Sequence, residues 1–357
     1  MSNLRKYLGD VAAVRPGHEI DADALLAYLE REVRTFSGPI KIRQFAGGQS
    51  NPTYLIETPE KKYVLRRKPY GPLLPSAHQI DREYRVMDAL GAAGFPVPDV
   101  LCYCADEDVI GAPFYVMAHI EGRIFSDCRM PDLTREDRAA AYDSANATLA
   151  RLHSFDLKAL GLEDYGRTGN YFGRQIARWS RQYQASCTDD ILEMEKLIEW
   201  LPNAVPPGDD TGLIHGDYSF HNLLFHPVRP EVLGVLDWEL STTGHPVGDL
   251  MYHGMEWYRP VGSDPRGTLA DADLPALGIP TLEEYVARYC ARAGRAPIAE
   301  LGFYRAYNLF RVAAIVQGIV ARARDGTAAS AEAADQAPRV RALATAAWRE
   351  ARELGAS

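Results

Sequence analysis

The stretch 212–240, GLIHGDYSFHNLLFHPVRPEVLGVLDWEL, constrains this chain more than any other. Gly212 to Ile214 reads as a short strand that runs into His215, Gly216 and Asp217. Asn222 follows Asp217 by five positions. Leu223 to Phe225 is apolar and reads as a strand, 226–230 is its turn, and 232–236 is the returning strand. Asp237 sits just past that strand's end, before Trp238 and Glu239. A buried hairpin with polar side chains only at its mouth is a rigid base for a site.

The chemistry that suits this set is phosphoryl transfer, which needs an in-line nucleophile and a divalent metal on nucleotide phosphates. Asp217 is the candidate to accept or orient a substrate hydroxyl proton. Asn222 offers a neutral amide oxygen to Mg²⁺, and Asp237 a carboxylate to Mg²⁺ that bridges phosphates. Each of these residue types also caps ordinary turns, so the joint spacing carries the signal. Protein kinases show H-R-D-x4-N and then D-F-G. Here Gly216 stands for the Arg, and Trp238 and Glu239 for Phe-Gly.

On these residues the chain resembles the aminoglycoside phosphotransferase and choline kinase family. It is most similar to the kinase-like domain that precedes an acyl-CoA dehydrogenase domain in some larger proteins. The resemblance covers about residues 20 to 350. It implies an α+β, two-lobed, protein-kinase-like fold with a small antiparallel-sheet lobe and a larger, mainly helical lobe. The expected division is 1–118 for the nucleotide-binding lobe, 119–122 for a hinge, and 123–357 for the catalytic and substrate lobe. ATP or GTP with Mg²⁺ is the implied cofactor. Near the hinge the adenine would meet backbone groups at Ala118 to Ile120.

The order of the remaining elements fits that expectation. A helix starts near Asp21, and KIRQFA reads as a first strand. Gly47, Gly48 and Ser50 lie in a loop before a second strand at about 53–57. Glycines there let backbone N–H groups approach phosphate, although such loops are more often plain hairpin turns. The third strand holds Arg66 where the kinase pattern has Lys. The resemblance implies that Arg66 takes the phosphate-pairing part, and Arg forks well onto phosphate. The next helix, 76–93 with Ser76 as its N-cap, carries Glu83, the candidate acid to pair with Arg66. Strands follow near 100–104 and 114–118, then helices at 134–154, 171–186 and 188–201. His153 reads as a packed or capping residue. Residues 241–250 resemble the family's G-D-P-x-x-D-L segment, with His245 for the usual Asp and Asp249 as a brace. The stretch 260–280 is rich in Pro and Gly and reads as mobile.

Composition sets outer bounds. No apolar run approaches the roughly 20 residues that span a bilayer, and the N-terminus shows no signal-peptide pattern. Five Cys without metal spacing suggest reduced thiols in a cytoplasm. The net charge of −9 argues against nucleic acid as the main partner. That charge is uneven: residues 281–357 hold eleven Arg against eight acids, net +3, and the rest of the chain is about −12. The long apolar helix near 298–324 contains Arg311, which is costly to bury unless paired or ligand-facing. It either braces an internal carboxylate or faces the substrate.

The reading is a kinase for a small-molecule hydroxyl, with a hydroxyacyl-CoA or similar anionic metabolite as the suggested acceptor. Alternatives are an aminoglycoside or amino-alcohol kinase and a silent nucleotide-binding pseudokinase. Acyl-CoA dehydrogenase activity lacks support, because no flavin-binding fingerprint occurs. Oligomeric state is not legible.

Overall fold

The structure is a computed structural model, and it describes residues 11–46, 51–71, 78–208, 210–298, 300–325 and 336–357. The chain divides into two compact units. The first comprises 1–125, 158–162 and 221–241; the second comprises 126–157, 163–220 and 242–357.

The first unit is built on a six-stranded antiparallel sheet. Its strands are β1 (Val11–Ala12), β2 (Lys41–Phe45), β3 (Thr53–Glu57), β4 (Lys62–Arg67), β5 (Val100–Cys104) and β6 (Phe114–Ala118), in the order β1-β2-β3-β4-β6-β5. Period-two alternation sorts the side chains. Tyr54, Ile56, Tyr63 and Leu65 turn to one face and pack with Leu25, Leu29, Val33 and Phe36. Leu25 and Leu29 come from helix α1 (Ala22–Glu32), which Asp21 caps by accepting from the Asp23 and Ala24 amides. Leu55 and Val64 turn to the other face. Cys102 and Cys104 are buried in the first of these cores as free thiols, as packing residues should be. Helix α2 (Ile80–Ala92) starts four residues later than its sequence pattern suggests. The expected cap Ser76 lies outside the described residues.

The hairpin of β8 (Leu223–Phe225) and β9 (Val232–Val235) belongs to this same unit. The sequence reading puts it in the larger lobe. Its hydrogen bonds explain the difference. Arg123 and Phe225 exchange N–H···O bonds of 2.7 and 2.8 Å, and the Val235 N–H donates to the Pro96 carbonyl at 2.8 Å. Gly122 is required at this seam. A Cβ there would lie 2.5 Å from the Phe225 carbonyl oxygen.

The second unit is mainly helical. Its elements are α3 (Arg135–Leu152), α4 (Tyr171–Ser186), α5 (Leu192–Trp200), β7 (Gly212–Ile214), β10 (Thr242–Gly244), α6 (Pro246–His253), α7 (Met255–Tyr258), α8 (Leu274–Leu277), α9 (Leu282–Arg292), α10 (Gly302–Arg324) and α11 (Ala337–Glu353). Thr134 caps α3, and Thr281 with Glu284 forms a capping box on α9. Strands β7 and β10 pair antiparallel. Helix α10 is buried on nearly every side and packs against α4, α6 and α11, as an all-round apolar helix must. Among the described residues no helix is long and apolar enough to cross a membrane.

The stretch 260–280 is pinned rather than loose. Buried Arg259 reaches Glu256 at 2.7 Å, Asp264 at 3.1 Å and the Gly267 carbonyl at 2.6 Å. Arg266 also clasps Asp264, and Arg339 of α11 donates to the Ser263 carbonyl. Proline and glycine content reports turns, and here charged side chains hold those turns in place.

His253, at the end of α6, is buried among the rings of Tyr218, Phe220, Trp257 and Tyr285. Burial pushes its imidazole down to about 4 from the ordinary 6.5. A histidine with a depressed folded value stabilises the fold fully above the unfolded value. That stability is lost as pH falls from 6.5 toward 4. The expected loss is roughly 3 kcal/mol, from 1.36 kcal/mol per unit of difference. Urea unfolding at pH 7 and pH 4.5 should show His253→Phe losing clearly less stability than wild type.

Candidate active site

The candidate nucleotide and metal residues lie in the first unit. The paired arginines of β4 part company because alternation points them to opposite faces. Arg67 is buried beneath Tyr70, 3.6 Å from the ring centroid, and donates to the Tyr54 hydroxyl. Arg66 turns the other way. Its Nε lies 2.9 Å from Glu83 Oε2, and its Nη2 lies 3.1 Å from Asp237 Oδ1 and 3.4 Å from Glu239 Oε2. One guanidinium thus ties the third strand, the α2 acid and the strand-end acid together. Burial alone would lower the Arg66 value, but the charge of Glu83, and then of Asp237 and Glu239, raises it, so it stays protonated.

Glu83 is almost fully buried, so its oxygens need donors. Tyr115 donates to Oε2 at 3.1 Å and Asn51 to Oε1 at 3.0 Å. His78 Nδ1 meets the Asn51 Oδ1 at 2.9 Å. Sequence reasoning missed Tyr115 and Asn51. Tyr115 had a signal in the sheet register, since it stands opposite Arg66. Asn51 had one in its place at the end of the glycine loop.

Asp237 is left-handed, with φ 64° and ψ 66°. An L-residue other than Gly or Asn pays roughly 1–2 kcal/mol for that region, and its neighbours enforce it. The Trp238 indole donates to the Val235 carbonyl at 2.9 Å, and Trp238 is buried edge-on against Phe95. The Leu236 N–H donates to the Asn222 carbonyl at 2.9 Å, which ties the two metal candidates through the backbone. Asn222 and Asp237 offer one amide and one carboxylate oxygen, hard donors that suit Mg²⁺. Among the described residues no group of three or more His, Cys, Asp or Glu could hold a metal alone. A two-ligand protein site is what a metal shared with nucleotide phosphates requires.

At the hinge, the Ala118 N–H is committed to the Asp99 carbonyl at 2.8 Å and the His119 N–H to the Lys62 carbonyl at 3.3 Å. Ile120 follows them outside the strand. Gly47, Gly48 and Ser50 lie outside the described residues.

The candidate base lies in the second unit. The buried Asp249 carboxylate accepts from the His215 N–H at 2.8 Å and from the Gly216 N–H at 2.9 Å. His153 Nε2 meets Asp249 Oδ2 at 3.2 Å, and its Nδ1 meets the Tyr289 hydroxyl at 2.6 Å. Burial would raise the Asp249 value, but His153 and the backbone donors hold it below the usual carboxylate range. His153 therefore packs and braces. Gly216 is left-handed at φ 82°, and the Asp217 N–H donates to His215 Nδ1 at 3.2 Å. His245, at the head of α6, lies against Phe172 with the two rings tilted by 47°.

Arg311 is buried beside the Asp217 loop. Its Nη2 donates to the Gly216 carbonyl at 2.8 Å, and its guanidinium lies over the rings of Tyr252 (4.7 Å) and Trp179 (5.6 Å). Its partner is thus the backbone of the Asp217 loop. Aromatic faces take the place of a buried carboxylate.

A model of the phosphotransferase enzyme family matches residues 41–301. The chain belongs to that family. It is 46% identical over 336 residues to acyl-CoA dehydrogenase family member 10 of Mus musculus, covering 94% of this chain and 31% of that protein. It is 42% identical to acyl-CoA dehydrogenase family member 11 of Homo sapiens, covering 88% of this chain and 41% of that one. The chain therefore spans less than half the length of these relatives. A Ralstonia eutropha protein named provisionally as an aminoglycoside phosphotransferase has a similar structure, with TM-score 0.86, 45% identity and coverage of 94% and 99% of the two chains. An aminoglycoside phosphotransferase solved with AMP-PNP and hygromycin B shares the fold at TM-score 0.58 and 17% identity, covering 92% and 99%. The family and its kinase-like fold agree with the sequence reading.

Arg66→Met leaves Glu83 buried beside no cation. Urea unfolding should show a loss of roughly 3–5 kcal/mol, the cost of breaking a buried pair. Adding Glu83→Gln to that variant should recover part of the loss. A double variant that is additive would show that the two side chains do not interact.

Proposed function

We propose that this chain transfers the γ-phosphoryl group of ATP, or of GTP, to a hydroxyl of a small molecule. The observation that carries the reading is the Arg66 link between Glu83 and Asp237. A protonated fork held by a buried acid, and aimed at a strand-end carboxylate, is built for phosphate and its metal. Asp217 takes the proton of the acceptor hydroxyl as its oxygen bonds to the γ-phosphorus. The bridging bond to the β-phosphate breaks, and the nucleoside diphosphate leaves with the electron pair. Arg66 binds phosphate oxygens, with Gly47, Gly48 and Ser50 as backbone and hydroxyl donors. Ala118 and Ile120 offer backbone groups to the base. Asn222 and Asp237 hold Mg²⁺, which neutralises charge on the phosphates when bound.

For the acceptor we favour an anionic metabolite such as a hydroxyacyl-CoA. The names of the longer relatives support an acyl-CoA context. A cavity of about 1160 Å³ in the helical unit adds to this. Arg341, Arg349 and Arg352 line it beside Trp348 and Tyr258, with Asp189 and Glu193 also present. Apolar walls with cationic groups suit an acyl chain on an anionic carrier. In this reading Arg311 serves the acceptor side through the Asp217 loop.

Purified protein with ATP, Mg²⁺ and pooled hydroxyacyl-CoAs, sugars and amino alcohols should phosphorylate a hydroxyacyl-CoA, detected as product by mass spectrometry. Phosphorylation of an aminoglycoside or amino alcohol alone would overturn the anionic acceptor. Binding of nucleotide with no transfer to any acceptor would favour a silent pseudokinase. In the first case Arg349→Glu should raise KM for the acceptor by about tenfold, the loss expected from one charged contact of roughly 1.4 kcal/mol. KM for ATP should not change.

A further inference from the structure

A carboxylate that aims a cation must itself be held, because its rotation would carry the guanidinium away. The two oxygens of Glu83 are bound differently. Oε2 meets Arg66 Nε at 2.9 Å and accepts from the Tyr115 hydroxyl at 3.1 Å. Oε1 accepts from Asn51 Nδ2 at 3.0 Å. Asn51 is fully buried, and it ends the sequence run Gly47-Gly48-Gln49-Ser50-Asn51. Its carbonyl accepts from Thr53 Oγ1 at 3.1 Å, and the carbonyl of the next residue, Pro52, takes the Arg67 N–H at 3.1 Å. Its side-chain oxygen meets His78 Nδ1 at 2.9 Å. An amide suits this position, because it donates to a carboxylate on one side and accepts from an imidazole N–H on the other.

We propose that Asn51 is a positioning residue for the nucleotide phosphates: it ties the end of the glycine run to Glu83, and through Glu83 it sets how Arg66 is presented. This rests on the reading of Arg66 as a phosphate-binding group. Strand β4 receives the Asn51–Pro52 segment at two adjacent residues, Arg67 through the backbone and Arg66 through Glu83. The glycine run and the cation are therefore held in one register. The hinge candidates Ala118 and Ile120 lie outside this set, so binding of the base alone does not depend on it.

An exchange of the two groups tests this without an acceptor. Asn51→Asp sets a second carboxylate against Glu83, and Glu83→Gln takes a charge from Arg66. The two changes together restore one amide and one carboxylate, with the hydrogen bond reversed and the total charge kept. Each single variant should weaken binding of Mg²⁺-ATP or Mg²⁺-GTP, whichever wild type prefers, about tenfold, the low end for a hydrogen bond to a charged group. The double variant should recover most of that loss. Affinity for the bare nucleoside, followed by ligand-observed NMR, should match wild type in all three. Should Asn51→Asp not fold, Asn51→Ala removes the donor without adding charge and gives the same comparison of nucleotide with nucleoside. Additive losses in the double variant would overturn the proposal. So would equal losses of nucleoside and nucleotide affinity, or a melting temperature that recovers in the double variant while nucleotide affinity does not. Wild type that binds neither nucleotide would overturn the functional reading and this role with it. Wild type and Asn51→Asp that bind equally well would overturn the positioning role alone.

Discussion

One buried carboxylate sets the geometry on which the candidate base depends. Asp249 takes the amides of His215 and Gly216 at 2.8 and 2.9 Å and is itself met by His153. An ionised carboxylate in a protein interior is costly without donors. Here the donors are the loop's own backbone, so the group's need for partners and the loop's shape are one constraint. Tyr289 continues the chain behind His153, and Arg311 takes the carbonyl of Gly216, the residue whose N–H Asp249 accepts. The residue before Asp217 is thus held at both its polar backbone groups.

In the first unit the ordering group is a cation. Arg66 joins β4, α2 and the segment after β9 through three carboxylates. It contacts Asp237, the acid that is the candidate for metal, while Glu83 holds the other side of the guanidinium. The strain of the left-handed Asp237 is offset by the Trp238 anchor. Trp therefore does at 238 what the Phe of D-F-G is expected to do, with a hydrogen bond added.

Much of this was legible in the sequence, because short-range rules dictated it. Strands 53–57, 100–104 and 114–118 and the helix at 171–186 lie where their periodicity predicts. Asp217, Asn222 and Asp237 stood out as candidates by their joint spacing and its likeness to the kinase pattern. Arg66 was named from the kinase pattern, and alternation turns its neighbour Arg67 to the opposite face. What escaped is long-range in the chain. Tyr115 and Asn51 reach Glu83 across 32 positions each. The binding of 260–280 by Arg259 and Arg339 was hidden because charge pairing leaves no periodic trace. Arg311 was noticed as an anomaly, but its partner is a carbonyl, and backbone partners are invisible in composition.

The central claim is a division of labour, with nucleotide and metal on Asn222, Asp237 and Arg66, and proton removal on Asp217. Calorimetric titration of Mg²⁺-ATP into wild type, Asp217→Ala and Asp237→Asn, alongside phosphoryl transfer by the same proteins, tests it most directly. Asp217→Ala should bind Mg²⁺-ATP as wild type does and lose transfer by about 10²–10⁴-fold, while Asp237→Asn should lose both together. Full transfer by Asp217→Ala, or unchanged Mg²⁺-ATP affinity in Asp237→Asn, would contradict the account.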